Sequence, residues 1–303
     1  MTASGEDAEI FEANRARLLR IAYRMLGTLG EAEDMVQDAW LRWSRTDRAD
    51  VGNAAAFLAR TVTRLCLDHL KSARAKRETY IGSWLPEPLL EIAGTDPGLG
   101  EADDVSLYLM MALERLSPLE RASFLLHDVF DMPFSEVART IGREESTCRQ
   151  LAARARAHVR AERPRYPMAP SDGEAFARAF FDAIATGDLA QLSTMLAEDV
   201  VAYADGGGKA PAHINPIIGR EKVLRLIAGL HAKPGDAPRW IRGARIDGLP
   251  GFVAYDRWGT LQTTALALDE GQVIAFYTMR NPDKLERVKR LIAERDRAGP
   301  AFR

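Results

Sequence analysis

Residues 117–160 read SPLERASFLLHDVFDMPFSEVARTIGREESTCRQLAARARAHVR, and their spacing predicts helices that cross closely at a tight turn. Ser117-Pro118-Leu119-Glu120 is a helix start: serine caps, proline fits the first helical position, and Glu120 reaches back as the capping-box partner. Ala122 to Val129 carry that helix onward. After Pro133 a short helix presents apolar Phe134, Val137, Ala138 and Ile141, and Gly142 ends it where the backbone must turn left-handed. In the next helix Cys148, Leu151, Ala152, Ala155 and Val159 fall on one side, while Thr147, Arg149, Gln150, Arg154, Arg156 and Arg160 occupy the rest. A small residue four before the turn glycine (Ala138) and an apolar one six after it (Cys148) let the helices pack, the signature of a helix-turn-helix. Arginine bridges guanine O6 and N7 and glutamine pairs with adenine, so Arg149 and Gln150 suit base edges and the later arginines suit phosphate. A plain helical hairpin with a solvated basic face does not explain the small residue, the glycine, the second apolar stripe and the one-sided arginines together.

The chain of 303 residues is long enough for two or three domains with their own cores, and 47% hydrophobic with 28% charged residues describes a soluble globular protein. The formal net charge of -2 hides a segregation of arginines and acids onto different helices, so local patches decide what binds. Cys66 and Cys148 are the only cysteines; each sits on the apolar side of a predicted helix, reads as a buried hydrophobe in a reducing cytosol, and together they make no metal set. Met1 to Asp7 is polar and acidic, unlike a signal peptide, and no apolar run approaches a membrane span, so a cytoplasmic protein without membrane contact is expected.

Upstream, Glu9 to Leu26 predicts an amphipathic helix and Glu31 to Arg45 a second, with Ala32, Val36, Ala39, Trp40 and Trp43 inward and Glu33, Asp34, Gln37, Asp38 and Arg42 outward. Ala54 to Glu78 predicts a long helix with Leu58, Val62, Leu65, Cys66 and Leu70 on one side. Its other side carries Arg60, Thr63, Arg64, Asp68, His69 and Lys71, and its end adds Arg74, Lys76 and Arg77. The helix dipole favours cations at that end in any case, but Arg60 and Arg64 lie mid-helix and extend a basic stripe suited to nucleic acid.

The runs GEAEDMVQDAWLRW (30–43) and FLARTVTRLCLDHLKSARAKR (57–77), followed by the helix-turn-helix, resemble a bacterial extracytoplasmic-function sigma factor over roughly residues 8–161. The resemblance implies that Asp34, Gln37, Asp38, Leu41 and Arg42 dock on the clamp helices of the RNA polymerase core enzyme. It implies that Arg60, Thr63, Arg64, Asp68, His69, Lys71 and Arg74 open and read the promoter's -10 element, where a splayed base must be held. Thr147, Arg149, Gln150, Arg154 and Arg156 would read the -35 element of promoter DNA as duplex. Thr63 stands where many relatives have asparagine.

Thr79 to Asp104 is rich in Pro and Gly and predicts a linker, but Trp84-Leu85-Pro86-Glu87-Pro88-Leu89 places an aromatic and two leucines in it, the mark of a segment that packs against something. A second linker, Glu162 to Pro170, precedes a change of periodicity. Helices over Glu174–Thr186, Leu189–Leu196 and Glu221–His231 accompany strands over Val200–Ala204, Trp240–Ile246, Gly251–Trp258, Thr260–Leu268 and Val273–Met279. This pattern predicts an α+β cone with a curved antiparallel sheet that encloses a pocket.

The C-terminal half resembles the SnoaL-like branch of the nuclear-transport-factor-2 fold. Asp205-Gly206-Gly207-Gly208-Lys209, Asn281-Pro282-Asp283-Lys284-Leu285 and the Trp-Leu-Pro-Glu-Pro segment resemble three signature motifs of the SigJ-like sigma subgroup that carries this fused domain. The resemblance implies two all-α sigma domains and the α+β cone, divided as 8–78, a linker 79–104, 105–161, a linker 162–171, and 172–297. It implies regulatory contacts at Trp84, Leu85, Pro86, Asp205, Gly206, Gly207, Gly208, Lys209, Asn281, Pro282 and Asp283, with the fused domain modulating activity in cis in place of a separate anti-sigma protein. Three consecutive glycines cost entropy unless a close backbone approach requires them, which favours a contact over a bare flexible turn. An unidentified small-molecule ligand is a further expected partner of this domain. Asp205, His213, Tyr203, Tyr255 and Tyr277 offer acid-base groups, but no spaced pair compels chemistry, so neither enzyme activity nor a cofactor or metal is expected. The rival reading is a helix-turn-helix regulator fused to a small-molecule-binding or enzymatic SnoaL-like domain.

Overall fold

The computed structural model describes residues 5–47, 51–78, 80–91, 106–161 and 170–298. They fall into two compact units: the chain up to Thr79 joined by Gly98–Arg163, and Tyr80–Pro97 joined by the chain from Pro164 onward.

The first unit is helical. Helices α1 (Gly5–Leu26), α2 (Leu29–Trp43) and α3 (Ala54–Glu78) pack around Leu18, Ile21, Ala22, Met25, Val36, Ala39, Leu58, Val62 and Cys66, all buried. Trp43 is 1% exposed, and its indole nitrogen donates to the Asp7 carbonyl at 3.0 Å, so the largest side chain of this core is also tied to the start of α1. Helices α4 (Leu107–Glu114), α5 (Pro118–Phe124), α6 (Phe134–Ile141) and α7 (Glu145–Ala161) complete the unit. The capping box at the start of α5 forms as expected: Glu120 N–H donates to Ser117 Oγ at 3.4 Å and Ser117 N–H to Glu120 Oε2 at 3.1 Å. The helix expected to run from Ala122 to Val129 widens instead into a π turn over Leu125–Val129. Gly142 adopts φ 67° and closes α6, and Ala138, Ala152, Ala155 and Cys148 let α5, α6 and α7 approach closely. Helix α4 is absent from the sequence expectation because LYLMMALE is nearly uniformly apolar and shows no face.

The second unit is a sheet packed by helices α8 (Pro170–Thr186), α9 (Leu189–Met195) and α10 (Arg220–His231). Strands β1 (Leu90–Glu91), β2 (Leu196–Asp205), β3 (Ile217–Ile218), β4 (Arg239–Ile246), β5 (Leu249–Tyr255), β6 (Leu261–Asp269) and β7 (Gln272–Met279) lie in the order β1-β4-β5-β6-β7-β2-β3. The sheet is mixed, a correction to the antiparallel expectation, because β2 and β7 pair in parallel. The long excursion between them, holding α10 and four strands, supplies the crossover that a parallel pair requires. Phe180, Phe181, Phe252 and Phe276 centre the core between α8 and the sheet, with Phe181 edge-on to Phe252 at 5.3 Å. A one-turn 3-10 helix over Pro282–Leu285, capped by Asn281, leads into α11 (Glu286–Ala298). The described linker residues 80–91 belong to this unit, with β1 adding to the β4 edge.

Candidate functional site

Within the first unit, α2 displays one exposed face: Asp34, Gln37, Asp38, Leu41 and Arg42 are all exposed, and Leu41 keeps 43% of its surface although it is a large apolar residue. Spacings of three and four residues put Asp34, Gln37, Asp38 and Leu41 together, so a leucine stands inside an acidic patch.

On α3, Arg60 is half-buried with its guanidinium 5.9 Å from the Phe57 ring centre, and Asp68 and Lys71 are exposed and paired at 2.9 Å. His69 Nε2 meets Glu31 Oε1 at 3.1 Å. Arg64 donates from Nε to the Thr140 carbonyl at 3.0 Å and from Nη2 to the Arg139 carbonyl at 2.8 Å, closing the C-terminal end of α6 where carbonyls lack helical partners. Thr63 is wholly buried, its hydroxyl donating to the Ala59 carbonyl at 2.8 Å, so in this arrangement it faces the helical core and not the basic stripe. The side chain of Arg74 lies outside the described residues.

On α7, Arg149, Gln150 and Arg154 are exposed, while Thr147 and Arg156 are half-buried. Glu145 holds Arg149 at 2.8 Å, and its guanidinium lies 5.4 Å from the Phe134 ring centre; Asp128 holds Arg156 at 2.5 Å. Both arginines are therefore aimed by neighbours, and Arg154 projects freely into solvent beside them. Cys66 and Cys148 are buried thiols whose pKa burial pushes up, which removes them from nucleophilic chemistry.

In the second unit the three motifs meet at one carboxylate. Asp205 is fully buried at the end of β2, and its side chain accepts four hydrogen bonds. Oδ1 receives the Tyr80 hydroxyl at 2.5 Å and the Gly207 amide at 3.0 Å; Oδ2 receives the Leu85 amide at 2.9 Å and the Lys284 ammonium at 2.8 Å. Lys284 also donates to the Leu85 carbonyl at 2.5 Å and stands 4.1 Å from the Trp84 ring centre, a cation held between a backbone oxygen and an aromatic face. Asn281 Nδ2 donates to the Tyr80 hydroxyl at 2.9 Å, and Lys209 pairs with Asp283. Burial, then the hydrogen bond to Asp205, push the Tyr80 phenol above its ordinary pKa.

The glycines are required by contact. A Cβ on Gly206 would stand 2.1 Å from the Ala210 carbonyl oxygen, and one on Gly207, at φ 59°, would stand 2.3 Å from Asn281 Nδ2. A second anchor follows along the linker: Leu89 N–H donates to Asp247 Oδ1 at 3.3 Å, Asp247 N–H returns a bond to the Leu89 carbonyl at 2.9 Å, and Leu90 pairs with Ile246. Leu85, Leu89 and Leu90 are buried by this docking, a strand addition with apolar pegs. Sequence reasoning named Asp205, the glycines, Asn281 and the Trp84 segment, and missed Tyr80, Asp247 and the role of Lys284. A lysine inside an otherwise capping motif was the available signal.

The same unit holds a cavity of about 710 Å³ between the sheet and α8 and α10. Of the five acid-base candidates only His213 lines it; burial pulls its pKa below the ordinary histidine value, while its bond to the Asn215 carbonyl opposes that shift. Tyr203 and Tyr277 stack on each other at 5.0 Å. Among the described residues no group of three or more His, Cys, Asp or Glu side chains stands where it would hold a metal ion, and no helix is long and apolar enough to cross a membrane.

Comparison with known proteins bears on both units. Residues 10–76 match the Sigma-70 region 2 family and residues 106–159 the Sigma-70, region 4 family. The chain is 40% identical over 289 residues to the ECF RNA polymerase sigma factor SigJ of Mycobacterium tuberculosis, spanning 90% of this chain and 91% of that one. It is 32% identical over 280 residues to the probable ECF RNA polymerase sigma factor SigI of the same species, spanning 91% and 93%. The crystal structure of Mycobacterium tuberculosis extracytoplasmic function sigma factor SigJ matches with a TM-score of 0.74 at 36% identity, over 92% of this chain and 98% of that chain.

Proposed function

Because the chain belongs to the extracytoplasmic-function sigma factors of RNA polymerase, we propose that its C-terminal domain sets promoter choice by gripping the linker between the two DNA-reading domains. The acidic face of α2 around Leu41 docks on the polymerase core in the cytoplasm, α3 opens and reads the -10 element, and α7 reads the -35 element. The observation that carries the reading is the convergence of Tyr80, Leu85, Gly207 and Lys284 on Asp205. A linker fixed at Asp205 and again at Asp247 loses much of its freedom to vary the separation of what it joins, and a ligand or partner that prefers either the held or the loosened state shifts the balance.

Arg64 supports a conformational reading as well. Its guanidinium serves the α6 carbonyls in this arrangement, so engaging DNA through Arg64 requires giving up that contact. No reaction is assigned to the C-terminal domain: Asp205 is saturated by four donors, and Asp256, the carboxylate that lines the cavity, is held by Arg280 and by the amides of Trp258 and Thr260.

The test is transcription by reconstituted holoenzyme on promoters that differ only in the spacer between the two elements. The full-length chain is expected to favour one spacer length, and Asp205→Ala to broaden that preference. Identical profiles from the two folded proteins refute the mechanism.

A further inference from the structure

The cavity has a polar floor and an apolar wall. Phe252, Thr264, Thr278 and Ala204 face one another across β5, β6, β7 and β2, a register row in which three of four residues are small, so the sheet opens a trough there. Thr264 and Thr278 share a hydroxyl hydrogen bond at 3.3 Å, which leaves further hydrogen-bonding capacity toward the trough. Phe181 and Ile184 of α8 and Ile227 and Leu230 of α10 form the opposite wall. Trp258, 44% exposed, and Lys233 flank the mouth.

The charges on the lining decide what class of molecule fits. Lys233, Arg257 and Arg280 are cationic, and Asp256 is the one carboxylate among the lining residues, already paired with Arg280. Burial lowers the pKa of His213, which favours its neutral imidazole over an added positive charge. A cationic guest therefore meets no free counter-charge, whereas an acid meets the Lys233 ammonium at the mouth and, deeper, the charge of Arg257, whose guanidinium is held by the neutral Leu230 and His231 carbonyls and not by a carboxylate. We propose that this cavity binds an apolar organic acid of drug size, its rings or branches against α8 and α10 and its ionised group toward the cationic lining.

Three elements of the cavity continue directly into the linker grip. Ala204 lines the trough and the next residue is Asp205; Arg280 lines it and the next is Asn281. Pro211, Ala212 and His213 line the mouth, and the backbone of His213 and Ile214 flanks Gly82, with Ser83 Oγ donating to the Ile214 carbonyl at 3.5 Å. A guest packed beneath residues 211–213 thus firms the segment against which Gly82 and Ser83 lie. This coupling rests on the proposed grip of the C-terminal domain on the linker; the binding site itself does not.

The experiment titrates the full-length protein with 8-anilinonaphthalene-1-sulfonate, an apolar aromatic acid, and in parallel with Nile red, an uncharged apolar dye. The sulfonate is expected to bind saturably at one per chain. Leu230→Trp, which fills the wall, is expected to abolish that binding, and Lys233→Glu to weaken it about tenfold while leaving Nile red unchanged. Hydrogen exchange at the Leu85 amide is expected to slow about tenfold at saturation. Binding that ignores Leu230→Trp, or Nile red bound as tightly as the sulfonate with no effect of Lys233→Glu, overturns the assignment. Unchanged exchange at residues 80–91 overturns the coupling. Neither titration contains DNA, so a failed spacer experiment leaves the site standing, and a failed titration leaves the grip standing.

Discussion

Replacing Asp205 by alanine removes the acceptor for four donors at once, and the structure permits a cost to be worked out. Lys284 and Asp205 have side chains 8% and 0% exposed, so their pairing is a buried one. Breaking a buried ion pair by deleting one member typically costs about 3–5 kcal/mol, because the survivor is left without its counter-charge. Lys284 retains the Leu85 carbonyl and the Trp84 ring, which pulls the cost toward the low end; the Leu85 amide and the Tyr80 hydroxyl, to which Asn281 only donates, lose their acceptor and push it back by about 1–3 kcal/mol. A loss of about 3–5 kcal/mol corresponds to a fall of roughly 10 °C in the melting temperature of the C-terminal unit. Calorimetry of the full chain, with hydrogen exchange at Leu85, measures both the loss and its location. Adding Lys284→Met removes the stranded ammonium, so the double variant is expected to recover about 2 kcal/mol relative to Asp205→Ala alone. A melting shift under 2 °C, or strict additivity of the two substitutions, refutes the account of Asp205 as the hub.

Three further outcomes are expected. Leu41→Asp, at an exposed position, should leave the melting temperature unchanged and weaken assembly with core polymerase by about tenfold or more, read by anisotropy of labelled protein; unaltered assembly removes Leu41 from that surface. Arg149→Ala should relax selectivity at one position of the -35 element, whereas an equal loss on every sequence makes it a phosphate contact. His213, with its folded pKa held below the ordinary value, contributes stability that is fully present above the unfolded pKa and is lost as pH falls through that value toward the folded one. Denaturant midpoints should therefore decline below about pH 6.5, and His213→Gln should flatten part of that decline.

Much of the helical half was legible because its signals are local. Ser117 with Glu120 and the left-handed Gly142 fix the ends of their helices through bonds made within a few residues. Helix α4 also has a serine cap, Ser106 accepting from the Leu109 amide at 3.2 Å, but no periodicity follows it, since a segment buried on nearly every side loses the pattern that marks a face. The parallel β2–β7 pair and the added strand β1 were hidden for a different reason: each joins segments far apart in the chain, and strand patterning specifies which side chains point inward but not which neighbour is chosen. At the linker grip, the Asp-Gly-Gly-Gly run announced a close approach, yet nothing in the residues flanking Tyr80 marks its hydroxyl as a bridge between Asp205 and Asn281. Thr63 shows the converse limit. Its place in the motif put it on the reading face, while the packing of α3 turned it inward.

The two-residue strand β1 lies along the margin of β4. It pairs with Arg245 and Ile246 alone, so a linker that let go, as proposed, would extend an edge that no described strand covers over residues 239–244, and such an edge is a template on which another molecule of the same protein can lie down. Arg239, Arg242 and Arg245 punctuate it at intervals of three, so two such margins brought together would repel along their length. On the proposed mechanism, letting go would therefore not lead to clumping, because the arginines along that strand oppose a second copy.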